Sequence, residues 1–257
     1  GESKIVPETV DGTKVGGAAE FKAVVDSLRA TGMANVMLSS GDNFLAGVAF
    51  NASLNRADGQ PFYDAVVLDS IGYDAIALGN HDFDFGPEVL AQMISDINTT
   101  MPTYLGANLD FSAEPALQAL VDAGRIAPRT VIDVEGEQVG VVSLITERLP
   151  VISSPRGVMV MNNLQEIAQA QIDALEGEGV NKIILISHLQ SINNELELLQ
   201  NLTGVDVWIA GGGDELLTND PSIALPGAEV FGEYPLVRQD AAGRDVYIVT
   251  TPGEYRY

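Results

Sequence analysis

The chain has 257 residues, 46% of them hydrophobic and 6% aromatic, with 36 acidic residues against 13 basic ones and a formal net charge of −23. That length carries a large core as one α/β domain, while so acidic a surface repels a nucleic-acid backbone and excludes a DNA or RNA polymer as partner. The absence of cysteine removes disulfides, thiolate metal sites and cysteine nucleophiles, and no apolar run approaches the ~18–20 residues of a transmembrane helix.

Along the chain, apolar runs alternate with helical periodicity, which predicts an α/β fold. Phe21, Val24, Val25 and Leu28 recur at i, i+3, i+4 and i+7 and predict an amphipathic helix from about Gly17 to Ala30. Val36-Met37-Leu38 reads as a buried strand that runs out at Ser39-Ser40-Gly41-Asp42. Residues 61–71 are expected to be helical, with Pro61 near the start. Ala75 to Leu78 is a second strand, ending at Gly79-Asn80-His81-Asp82, and Pro87 opens a helix to about Ser95. Thr103 to Ala107 and Val139 to Ile145 are strands. Leu164, Ile167, Ala168, Ile172 and Leu175 mark a further helix. Ile183 to Ile186 is a strand ending at Ser187-His188, Val205 to Ala210 one ending at Gly211-Gly212-Gly213-Asp214, and Val246 to Val249 the last. Trp208, inside a strand, is expected in the core. Residues 110–130 and 218–245 are polar or rich in Pro, Gly and Ala, and are expected to be irregular. No repeat or linker divides the chain, so residues 1–257 are taken as one domain. No signal peptide is visible; both ends, at Gly1-Glu2-Ser3 and Tyr255-Arg256-Tyr257, read as cut from a longer protein.

Four of these strands end in a small residue followed by a possible metal ligand: Asp42, Asn80-His81, His188 and Asp214. In open α/β sheets, ligands bind outside the carboxyl ends of the strands. A single histidine after a strand is more often a hydrogen-bonded structural residue. Here both histidines of the chain fall at such ends, beside Asp42 and Asn80, and the set is expected to converge. Gly41 and Gly79 permit the tight turns this requires.

Gly41-Asp42-Asn43-Phe44 and the run Gly72 to Gly86, with Gly79-Asn80-His81-Asp82-Phe83-Asp84-Phe85-Gly86 at its core, resemble blocks of the calcineurin-like phosphoesterases. The long second block, Gly106-Ala107-Asn108-Leu109-Asp110 and Ser187-His188 resemble the 5'-nucleotidase branch, and the similarity runs from about residue 15 to 252. The resemblance implies a four-layer α/β/β/α sandwich. It implies one or two divalent metal ions sharing Asp42, with Asn80 and His188 on one of them. His81 would act on the phosphate or the leaving oxygen, oriented by Asp84. Hydrolysis of nucleotides or small phosphate esters is implied, as is a periplasmic or extracellular location.

The pattern departs from that family in its histidines. An ungapped register puts Gly212 and Asp214 where two late histidines belong, with Glu215 next door. Glu2 lies about where an early one should be. One metal site would then be all carboxylate, drawing on Glu2, Asp42 and Asp214, and the other would lose a histidine to Gly212. Such donors favour Mn²⁺, Ca²⁺ or Mg²⁺ over Zn²⁺. Two functions stand side by side: a metal-dependent phosphoesterase, and a divalent-metal-binding or surface module that keeps the fold with impaired catalysis. Oligomeric state is not legible.

Overall fold

Two sheets face one another, with helices covering the outer face of each. The computed structural model describes residues 5–10, 12–97, 103–250 and 253. The smaller sheet is parallel and four-stranded, in the order Leu38–Ser39, Ala75–Ala77, Thr103–Leu105, Ile126–Ala127. The larger has six strands in the order Leu236–Gln239, Asp245–Val249, Val207–Ile209, Ile183–His188, Glu137–Ile145, Arg129–Val134. It is parallel at its centre and antiparallel at both edges.

The two-residue period of the strands assigns the layers. Ala75, Ala77 and Leu105 of the small sheet meet Val139, Val141 and Ile186 of the large one in a shared cluster. The alternate residues point outward. Ile76, Leu78 and Tyr104 pack under the helices Tyr63–Ile71, Pro87–Asp96 and Pro115–Asp122. Val142, Leu144, Leu185 and Trp208 pack under the helices Leu164–Gly177 and Ile192–Leu199. This is the α/β/β/α sandwich that the resemblance implied.

Several sequence expectations need correction. The stretch 110–130 contains the helix Pro115–Asp122, and 218–245 contains the strands Val230–Gly232 and Leu236–Gln239. The helix expected from Gly17 to Ala30 forms at Ala18–Arg29, but Val24 and Leu28 are exposed. It packs through Phe21 and Val25 of the expected stripe and through Ala18, one turn earlier. The strand Ile183–His188 runs two residues further than its apolar run, so His188 is a strand residue.

Candidate active site

The carboxyl ends of two strands from each sheet meet at a cleft of about 200 Å³, lined among others by Asp42, Asn80, His81, His188, Gln190 and Asp214. Asp42 turns in the left-handed region at φ 53. The loops that carry Asp42 and Asn80 pass in backbone contact. A Cβ on Gly41 would lie 2.7 Å from His188 Nδ1 and 2.8 Å from Gly79 Cα, and one on Gly79 would run into the amide and carboxylate of Asp42. Only glycine fits at either position.

His188 joins the two sheets. Its Nδ1 lies 2.7 Å from the Ser40 carbonyl oxygen, which makes Nδ1 the donor. Its Nε2 lies 3.0 Å from Asp42 Oδ2 and 3.1 Å from Asn80 Oδ1. Burial works against ionising either partner, but their mutual charge and hydrogen bond outweigh it. Asp42 is held down to about 2 and His188 above its ordinary value. Asp42 Oδ1 accepts from the backbone N–H of His81 at 2.9 Å.

His81 Nδ1 lies 2.6 Å from Asp84 Oδ2, and Ser153 Oγ donates to Asp84 Oδ1 at 2.9 Å. The Asp84 hydrogen bond raises the His81 pKa against the effect of burial, with the charges of Asp42, Asp84 and Asp82 adding to it. Asp82 is fully buried. It accepts from Gly79 N at 2.8 Å, Asn43 N at 2.9 Å and Asn43 Nδ2 at 3.0 Å. Burial, and then the charge of Asp42, push its carboxyl upward against those three donors.

The donor chemistry at His188 fits a divalent cation. A carboxylate oxygen, a carboxamide oxygen and an imidazole nitrogen lie at one point, and the other ring nitrogen is fixed by a carbonyl, as in metal-bound imidazole generally. Among the described residues, however, no three His, Cys, Asp or Glu side chains gather to hold a metal. Asp214 lines the cleft without joining Asp42 and His188 in such a group, and Glu2 lies outside the described residues. Glu215 is engaged elsewhere: its Oε1 accepts from Ser191 Oγ and Ile192 N at 3.1 Å each, at the start of the helix Ile192–Leu199.

Sequence reasoning did not single out Asp82, Asn43, Gln190 or Ser153. Asp82 sits inside the block already quoted, where a second carboxylate beside His81 was a usable signal. Ser153 is 69 residues from Asp84, and no local pattern marks it. Asn108, of the Gly106–Asp110 block, is structural. Its amide bonds both the N–H and the carbonyl of Ile145, at 2.9 Å each.

No family model matches the chain. The fold nonetheless has clear counterparts. The calcineurin-like phosphoesterase YfkN from Bacillus subtilis superposes with a TM-score of 0.64 over 93% of this chain and 74% of its own, at 18% identity. The chain therefore has the calcineurin-like phosphoesterase fold. A 5'-nucleotidase precursor from Thermus thermophilus superposes with a TM-score of 0.85 at 32% identity, over 99% of this chain and 47% of its own. A probable 5'-nucleotidase from Treponema pallidum is 32% identical over 237 residues, 91% of this chain and 37% of that protein. The chain is similar over nearly its whole length to part of these two 5'-nucleotidases, and it spans less than half the length of either.

Proposed function

We propose that this domain hydrolyses phosphate esters, of nucleotides or small phosphomonoesters, with divalent cation held by Asp42, Asn80 and His188 and with His81 assisted by Asp84. The observation that carries this reading is the meeting of Asp42 Oδ2 and Asn80 Oδ1 at His188 Nε2, within 3.0 and 3.1 Å, beside the His81–Asp84 pair. Electrostatics supports it. Among the described residues no Lys or Arg lines the cleft, so a phosphate entering beside Asp42 and Asp214 draws on bound cations for its neutralisation. Divalent cations supply charge neutralisation at phosphorus and a hydroxide nucleophile near neutral pH. The protein's own contribution falls to His81. With Nδ1 tied to Asp84, Nε2 is the ring atom left to protonate the leaving oxygen, and the Asp84 hydrogen bond favours the protonated ring.

Mn²⁺, Ca²⁺ or Mg²⁺ suit the site better than Zn²⁺, since oxygen donors outnumber imidazole. The chain is read as the metallophosphoesterase domain of a longer, exported protein whose further domain holds the substrate's base. Among the described residues no helix is long and apolar enough to cross a membrane.

The test is hydrolysis of p-nitrophenyl phosphate and of a nucleoside monophosphate with each cation in turn. Turnover is expected with Mn²⁺, Ca²⁺ or Mg²⁺, and His81→Ala should lower kcat by about 10²–10⁴. No turnover with any cation, in a chain extended at both ends, would overturn the enzymatic reading. A second reading, a cation-binding module without turnover, draws on the shortage of charged donors. Calorimetric binding of Mn²⁺ without hydrolysis would select it.

A further inference from the structure

On the reading that Asp42, Asn80 and His188 hold a cation, we propose that Gln190 is a further donor to the same cation, its amide oxygen occupying the space that a side chain at position 212 would otherwise fill.

Three observations converge on Gln190. It lines the cleft two residues beyond His188, and it does so at φ 75, in the left-handed region that a long side chain rarely adopts. Strain of this kind persists where the surrounding structure demands the geometry. Its amide lies 2.6 Å from Asn80 Oδ1, placed with Nε2 as the donor. The two ends of a carboxamide exchange by a half-turn, so the same reach delivers Oε1 to a cation on Asn80.

The third observation concerns Gly212. A Cβ there would stand 2.9 Å from Gln190 Nε2 and 2.9 Å from both Cδ2 and Nε2 of His188, on a backbone at φ 86. Positions 190 and 212 therefore compete for one volume beside His188. A Cβ at 212 would press on the His188 ring and on the tip of Gln190 alike, so glycine at 212 leaves the room in which the long amide of Gln190 sits. This also accounts for the shortage of charged donors in the cleft. The set is completed by two carboxamides, giving three oxygens and one imidazole nitrogen, a composition suited to a hard cation.

Calorimetric titration of the whole chain with Mn²⁺ and with Zn²⁺ tests this without recourse to turnover. Gln190→Ala should weaken Mn²⁺ binding about tenfold or more, the scale of loss when a supporting group at a metal site is removed. Gln190→Glu keeps the reach and adds a charge, so it should tighten Mn²⁺ binding. Were Gln190 only an N–H donor to Asn80, the same substitution would weaken binding, and the assignment as a ligand would be overturned. Wild-type Mn²⁺ affinity in Gln190→Ala would refute the donor role while leaving the cation site standing. A wild-type chain that binds neither metal would sink both readings.

Discussion

The four-stranded sheet brings Asp42, Asn80 and His81 to the cleft on loops that hold each other. Asp42 Oδ1 accepts from His81 N, and the Asp82 carboxylate gathers Gly79 N, Asn43 N and Asn43 Nδ2. The six-stranded sheet brings His188 and Gln190, and their polar atoms are held across the gap, by the Ser40 carbonyl, Asp42 and Asn80. One half of the site is organised by bonds internal to its own sheet; the other takes its final geometry only when the sheets dock. The self-contained half carries the acid pair and the cross-held half carries His188 and Gln190.

The largest expected effect comes from breaking the self-contained half. In Asp82→Asn the new amide turns an N–H toward a donor whichever way it faces, because both Asp82 oxygens already accept. Relief of the repulsion from Asp42 offsets part of the loss. A net cost of about 3 kcal/mol is expected from urea unfolding, with cation affinity falling as the Asp42 and Asn80 loops separate. A loss below about 1 kcal/mol would mean that docking of the sheets, and not Asp82, organises both halves.

The cross-held half has one support of its own. Glu195, fully buried on the helix Ile192–Leu199, accepts from Ser187 Oγ at 2.7 Å, and Ser187 in turn accepts from Trp208 Nε1 at 2.8 Å. Among the described residues Glu195 Oε2 has no hydrogen-bond partner. Burial pushes the Glu195 carboxyl up to about 7, with the charge of Glu215 adding to it and the Ser187 hydrogen bond opposing. A folded pKa above the unfolded one gives stability that is complete below about 4.5 and is lost as pH rises through about 7. Glu195→Gln keeps the acceptor and removes the titration. Wild type should lose on the order of 3 kcal/mol relative to this variant between pH 4.5 and 8 in urea titrations. Parallel profiles would show that the carboxyl is already ionised without cost.

The strand ends were legible because each lies where an apolar run meets a turn residue and a ligand type, as at Gly41-Asp42 and Gly79-Asn80-His81. The layers followed from the same alternation. The helix Pro115–Asp122 was hidden because eight residues are too few for a helical period to stand out. The strand Leu236–Gln239 was hidden because it is an edge strand, with only Leu236 buried. At the site, Gln190 was invisible for a different reason. Its place depends on the space that Gly212 vacates, and a relation between two positions 22 apart on different strand ends has no local pattern.

The smallest effect belongs to Ser153, whose hydroxyl reaches the acid pair from 69 residues away. Ser153 follows the short helix Leu149–Ile152 and donates to Asp84 Oδ1, while Asp84 Oδ2 holds His81. Ser153→Ala removes one hydrogen bond to a part-buried carboxylate and leaves the His81 contact in place. The expected cost is about 1 kcal/mol of positioning, or a fall in kcat of roughly fivefold, with KM and cation affinity unchanged. Loosened Asp84 also holds the imidazolium less firmly, so the basic limb of the kcat–pH profile should move to lower pH. Ser153→Thr, which keeps the hydroxyl, should restore both. A drop in cation affinity in Ser153→Ala would tie the acid pair to the cross-held donors and dissolve the division between the two halves.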